Sequence, residues 1–355
     1  MRRVDADLDR APTPSPAALR IVEWHDGAAW DAFVERASDS TVAHRWGWGE
    51  VIARAYGHPT TFLAAVEGDV LRGALPLTLV RTRIFGAHLV SMPYLDYGGV
   101  CTDGDDAVAV ALVAEAVRRA DAAGATLELR HVTDRDVGLP RSLEKVTMLL
   151  ELEHDVNAQW KGLRSERRNR VRKGERAGLT AQVHGIDGLR AFYRVLARNM
   201  RDLGSPVHAE DFFRATVETL GDRARFLVVR LRDTPVGAAL ILFDGDTLSI
   251  PYVSSLRAYF DLCPNQVLYW SAMRLAIQEQ FRVLDFGRSS RGVGTFEAKR
   301  QWRAEPEQLY WHYHPASAPP GGEVRRLEWA SHVWRKIPEP LADRLGPWLR
   351  KGIPN

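Results

Sequence analysis

The strongest constraint on how this chain can fold is an order of elements that it uses twice. Thr61-Phe62-Leu63-Ala64-Ala65, a turn at Glu67-Gly68-Asp69 and an apolar run from Ala74 to Val80 read as a β-hairpin. Arg225-Phe226-Leu227-Val228-Val229 and Val236 to Leu240 read as a second one. Phe62 and Phe226, Leu63 and Leu227, the turn residues Asp69 and Asp233, and Gly73 and Gly237 fall in register without a gap. A strand, a long helix and another strand follow in each case. The first set is Leu89 to Pro93, Asp105 to Ala123 and Thr126 to His131; the second is Leu248 to Tyr252, Pro264 to Gln280 and Val283 to Arg288. Pro93-Tyr94 and Pro251-Tyr252 even repeat a dipeptide. Two copies of one α/β unit are implied, each a mixed twisted sheet flanked by helices.

At 355 residues the chain is long enough for two such units with a proper core each. The expected division is a lead-in over 1–18, a first domain over 19–155, a second over 156–314, and a linker with a helical tail over 315–355. The tail carries Trp329, Trp334 and Trp348, and aromatic rings need a surface to bury against, so it is expected to pack back on the first domain. A formal charge of +3 gives no polycation argument for nucleic acid. The two cysteines, Cys101 and Cys263, support neither a disulfide framework nor a zinc site. No apolar run reaches membrane-spanning length, and Met1 to Ala18 lacks the apolar core of a signal peptide. A cytoplasmic location, extending to the inner face of the membrane, is expected.

Three stretches carry chemistry. Val283 to Phe286 is a short apolar strand, and Gly287, Ser289, Ser290, Gly292 and Gly294 then form a polar loop that a ligand can approach. Lys299 and Trp302 close it beyond the strand's carboxyl end, where open sheets bind ligands. Lys299 is the candidate for stabilising developing negative charge, while Ser289, Ser290, Trp302 and Tyr252 are candidates for substrate binding. Trp160 to Leu179 is strongly basic, and helical spacing puts Arg164, Arg168 and Arg172 on one face that could meet phosphates. Asp96, in Tyr94-Leu95-Asp96-Tyr97-Gly98-Gly99, is the candidate general base. His58 and His208 read as structural or surface residues. No Ser-His-Asp or Cys-His arrangement argues for a covalent acyl-enzyme.

The double unit, the basic junction helix and the stretch Asp285-Phe286-Gly287-Arg288-Ser289-Ser290 with Gly294-Thr295-Phe296 and Lys299 to Trp302 resemble the FemAB-like acyltransferases. The branch that they resemble most is associated with PEP-CTERM and exosortase systems in exopolysaccharide-producing bacteria. The resemblance runs from about Ile21 to Trp311. It implies an α/β (α+β) fold of two tandem domains similar to Gcn5-related N-acetyltransferases (GNAT). It also implies an enzyme that moves an acyl or aminoacyl group onto an amine of a phosphorylated amino sugar or other cell-envelope precursor. Lys299 stands at the position of the lysine that assists this chemistry, and Arg201 at a position implicated in contacting acceptor phosphates.

Some features depart from the family. Ala298 replaces a frequent aromatic, Arg303 a frequent glycine, and the coiled-coil arm of some tRNA-using relatives has no counterpart. No tightly bound cofactor is expected; the acyl donor is a co-substrate, with aminoacyl-tRNA, acyl-CoA and acyl carrier protein all open. Two other readings are an acyl-CoA-dependent N-acetyltransferase and a non-catalytic double fold that binds RNA or a lipid carrier. The first lacks the usual phosphate-cradling glycine loop after Tyr252.

Overall fold

The computed structural model of the chain describes residues 18–292, 294–315 and 331–353. The lead-in, most of the linker and the first part of the expected tail helix, with Trp329, lie outside them. The first half runs β1 (Leu19–Glu23), α1 (Gly27–Arg36), α2 (Gly47–Tyr56), β2 (Thr60–Glu67), β3 (Val70–Thr82) and β4 (Gly86–Val90). It continues with α3 (Asp106–Ala123), β5 (Thr126–His131), β6 (Arg141–Ser142) and β7 (Lys145–Glu151). The basic segment forms two helices, α4 (Val156–Gly162) and α5 (Ser165–Arg176), and β8 (Leu179–His184), α6 (Leu189–Leu203) and α7 (Glu210–Leu220) follow. The second half closes with β9 (Ala224–Leu231), β10 (Thr234–Asp244), β11 (Thr247–Ser255), α8 (Pro264–Gln278), β12 (Val283–Ser290), α9 (Gly294–Arg300), β13 (Glu305–Gln308) and β14 (Tyr310–His314). The tail helix is α10 (Glu339–Arg350).

Both repeats fold as the sequence pattern demands. Alternation in β10 sends Ala238, Leu240 and Leu242 into one core and Ala239, Ile241 and Phe243 into the other, so this central strand is covered on both faces. In β2, Leu63 and Ala65 meet α3, while Phe62 and Ala64 meet Trp30 and Val34 of α1. Local chemistry sets the helix ends: the Asp26 carboxylate accepts the N–H groups of Ala28 and Ala29 at 3.0 Å, and Gly124 ends α3 with φ +58°.

The two sheets exchange strands. The first has the order β1-β2-β3-β4-β5-β14-β6 and the second β13-β7-β12-β11-β10-β9-β8. β14, from the end of the second half, runs antiparallel to β5, with His312 opposite Leu129. β7, from the end of the first half, runs antiparallel to β12, with Leu150 opposite Leu284. A boundary at residue 155 would leave β7 with the first sheet. The chain does otherwise because Val146, Met148 and Leu150 bury with Leu284 and Phe286 in the second core.

A further core belongs to both halves. Trp48, Ile52 and Tyr56 of α2, Phe192 of α6, Phe212 and Phe213 of α7, and Trp311 of β14 form one buried cluster. The tail bridges the halves, where packing on the first alone was expected. Its Ile337 carbonyl accepts from Arg201 Nε at 2.8 Å, and Arg198 pairs with Glu339. Beyond α10, the Lys351 carbonyl accepts from Tyr94 Oη at 2.7 Å and His58 Nε2 at 2.9 Å. Trp334 is buried, whereas Trp348 is 64% exposed. Among the described residues no helix is long and apolar enough to cross a membrane.

Exchanged strands and a shared core make one cooperative unit. Far-UV circular dichroism and tryptophan fluorescence should therefore report a single coincident unfolding transition. A fragment of residues 18–155, which lacks β14 and the partner of β7, should not fold cooperatively. Two separated transitions, or a fragment with a sharp melt, would contradict this arrangement.

Candidate functional site

β11 and β12 are parallel neighbours over only three residue pairs, Thr247 to Ser249 against Val283 to Asp285, although both strands run on. Where they part, β12 carries a bulge: Leu149 lies opposite Asp285 and Thr147 opposite Arg288, so Phe286 and Gly287 together face the single residue Met148. Gly287 adopts φ +76°, a conformation that suits glycine. Side chains from three directions tie this bulge. Asp285 Oδ1 accepts the Gly287 N–H at 2.8 Å, and Asp96 Oδ2, from the first half, accepts the Arg288 N–H at 3.0 Å. Lys299 Nζ, from α9, donates to the carbonyls of Gly287 and Arg288, both at 2.9 Å. The structure thus brings Lys299 and Asp96 onto one backbone turn.

Asp285 itself is 2% exposed. Burial raises its pKa, and hydrogen bonds from Tyr97 Oη (2.6 Å) and Thr147 Oγ1 (2.7 Å) oppose that shift. Burial lowers the Lys299 pKa from 10.5 to about 8, against the pull of Asp96 and Asp285. Two of its three ammonium donors go to carbonyls, which leaves a third.

A cavity of about 550 Å³ opens between the halves in front of this turn. Tyr97, Thr147, Ser249 and Asp285 form one wall, and Ser40, Thr41 and Arg45 of the first half face them. A narrow extension lined by Leu95, Asp96, Pro251 and Gly287 joins it at Tyr97 and Asp285. Arg45 is held by Asp244, with Nε at 2.9 Å and Nη2 at 2.5 Å. Asp246, Asp285 and Glu307, also on the lining, have no salt-bridge partner among the described residues, so carboxylates prevail in the cavity.

The other expected site residues lie elsewhere. Arg201 is spent on the Ile337 carbonyl and on Asp202, at 3.3 Å. The expected three-arginine face is broken because Leu163 is buried and splits the segment into two helices. Arg164 precedes the first turn of α5, and Arg168 Nη1 donates back to the carbonyls of Lys161 (2.9 Å) and Leu163 (2.5 Å). Arg172 lies over the Trp160 ring, 5.3 Å from its centroid. Trp302 is 2% exposed and meets Tyr269 edge-on, so it is a core residue and does not reach the cleft. Ser289 faces the second core with its hydroxyl unpartnered, and Ser290 Oγ accepts from Lys145 Nζ at 2.9 Å. Tyr252 is half-buried and donates to the Tyr94 carbonyl at 2.5 Å.

Residues 161–300 match the acetyltransferase (GNAT) domain family. That match lies within the second half. No curated protein matches the chain by sequence. Solved structures match it by shape. FemX superposes with a TM-score of 0.65 at 14% identity, over 82% of this chain and 96% of that one. L-PGS from Bacillus licheniformis gives 0.54 at 10% identity, over 88% and 98%. A tandem GNAT protein from the clavulanic acid biosynthesis pathway gives 0.53 at 12% identity, over 85% and 100%. These are likenesses of fold. The expected tandem GNAT-like architecture stands on these structures, and the acyltransferase class on the domain match.

Sequence reasoning missed several groups at the cleft. Asp285 was legible as a carboxylate inside an apolar strand, a placement that costs free energy unless donors await it. Tyr97 and Thr147 are local clues to nothing; only the strand exchange brings them to it. Gly287→Ala tests the bulge: a Cβ would stand 3.1 Å from Asp96 Oδ2 at a left-handed φ. The substitution should lower stability by about 1–2 kcal/mol in denaturant melts and weaken the Asp96 contact. A neutral effect would show that the bulge relaxes freely.

Proposed function

We propose that the chain transfers an acyl or aminoacyl group onto an amine of a phosphorylated amino sugar or related cell-envelope or exopolysaccharide precursor, in an exosortase and PEP-CTERM setting. The observation that carries this reading is the convergence of Asp96 and Lys299 on the Gly287 turn beside an acidic cavity. An amine reaches such a cavity as its ammonium ion, which uncompensated carboxylates attract. Asp96 is assigned the proton from the nucleophile. The amine nitrogen then forms an amide bond with the donor's acyl carbon, the acyl–oxygen or acyl–sulfur bond breaks, and the leaving group takes up a proton. Lys299 is assigned the negative charge that develops on the carbonyl oxygen. The GNAT domain match supports acyl-CoA as a donor to test beside aminoacyl-tRNA and acyl carrier protein.

Parallel assays with the three donors test the reading; no acyl transfer with any of them would refute it. With Lys299 acting as a cation, its protonated form is the active one, and that form is lost as pH rises through about 8. Turnover at saturating substrate should then show an alkaline limb near that pH. Lys299→Ala should lower kcat by about 10²-fold with little change in KM and abolish the limb. Lys299→Arg should rescue poorly, since a planar fork does not replace a compact ammonium. A folded Lys299→Ala protein with near-normal kcat would remove the residue from the mechanism. Asp96→Asn keeps an acceptor for the Arg288 N–H but loses the base, and should cost at least about 10²-fold in kcat.

A further inference from the structure

The last turn of α10 inserts a cation into the joint between the halves. Arg350 Nε donates to His208 Nε2 at 2.8 Å. Since a guanidinium nitrogen can only donate, His208 Nε2 is the acceptor, and its Nδ1 carries the proton towards Tyr56 Oη, 2.7 Å away. Burial drives the His208 pKa well below its ordinary value, so the ring is neutral and brings no charge. Tyr252 Oη stands 3.2 Å from the same Nε2. Among the described residues no carboxylate pairs with Arg350, and its two terminal nitrogens have no hydrogen-bond partner.

Neighbouring charges aggravate the imbalance. Arg288, 25% exposed, shares the surroundings of Tyr252 and repels Arg350; its carboxylate partner is Asp96, at 3.4 Å. Two guanidinium groups thus face one carboxylate. The carbonyl end of the helix offsets only part of that charge. Nor does docking of the tail require the charge, because Tyr94 and His58 already clasp the Lys351 carbonyl. A cation held by a histidine and set among three tyrosines, with its fork unpartnered, has the geometry for an oxyanion.

We infer that Arg350, with Arg288, forms a binding site for the phosphate or diphosphate of the acceptor. The inference deepens the acyl-transfer reading and rests on it for the identity of that ligand. It moves the phosphate contact from Arg201, which is engaged by the Ile337 carbonyl and Asp202, to a residue that the tail delivers. It also gives the site two poles, a carboxylate-rich cavity for the amine and an arginine pair for the anion.

Thermal melts of the full chain with inorganic phosphate, pyrophosphate or acetate at constant ionic strength test the site. Pyrophosphate should stabilise the wild type saturably, phosphate less so, and acetate not at all. Arg350→Gln should weaken the apparent pyrophosphate affinity by at least about tenfold, as loss of a charged hydrogen-bonding group does. Arg350→Lys should retain part of the response, and Arg288→Gln should reduce it. No saturable stabilisation of the wild type, an equal effect of acetate, or an unchanged response in folded Arg350→Gln would each overturn the inference. Should Arg350→Gln not fold, wild-type responses in both Arg350→Lys and Arg288→Gln would overturn it. A pyrophosphate response without acyl transfer from any donor would sink the acyl-transfer reading and leave the anion site standing.

Discussion

The bulge of β12 is the point on which the cleft depends. A carboxylate buried as deeply as that of Asp285 is costly unless donors replace its water, and here a backbone N–H and two hydroxyl groups do so. Those hydroxyls come from Tyr97, in a loop of the first half, and from Thr147, on the exchanged strand β7. Satisfying one carboxylate therefore aligns a loop, a strand and a turn that are far apart in sequence. Lys299 adds α9 to the same assembly through the carbonyls of Gly287 and Arg288. The low dielectric that makes these ties strong also shifts the lysine to about 8, so its charge is set by packing.

The electrostatics of the cleft follow from which groups are paired. Arg45 is matched by Asp244, and Arg130 by Glu128 at 2.6 Å, so both contribute little net charge. Trp311 lies between two guanidinium groups, 4.6 Å from that of Arg130 and 4.9 Å from that of Arg288. The ring fixes the direction of Arg288 without neutralising it. Carboxylates are left in excess on one side of the bulge and guanidinium groups on the other.

What the sequence disclosed was local. The paired hairpins, the helix Asp105 to Ala123 and the strand Thr126 to His131 are written in short-range periodicity, and all of them form. The convergence of Lys299 on the loop after Val283 was legible because both lie in one stretch. Asp96 was suggested only by its polar setting. The exchange of β7 and β14 was not legible, since apolar alternation shows that a strand exists but not which sheet it joins. The basic helix was misread at one residue: Leu163 prefers the core to the helical phase, and Arg168 turns back to cap α4. Trp302 was misplaced because a large aromatic after a polar loop fits a core wall as well as a ligand contact. Arg350 carried no signal at all, as its partner His208 lies 142 residues away in the chain.

The strand exchange also bears on how such a chain could arise. In the first sheet the gap between β5 and β6 is filled by β14, and in the second the gap between β12 and β13 is filled by β7. Each half gives away the strand that the other needs. One half on its own could close its sheet only by borrowing that strand from a second copy, as in a swapped dimer with twofold symmetry. Duplication and fusion would turn such a dimer into a single chain and make the borrowing intramolecular, at an effective concentration set by the linker. Once fused, the halves no longer have to stay identical. One can keep the Lys299 turn while the other specialises in the loop that carries Asp96 and Tyr97.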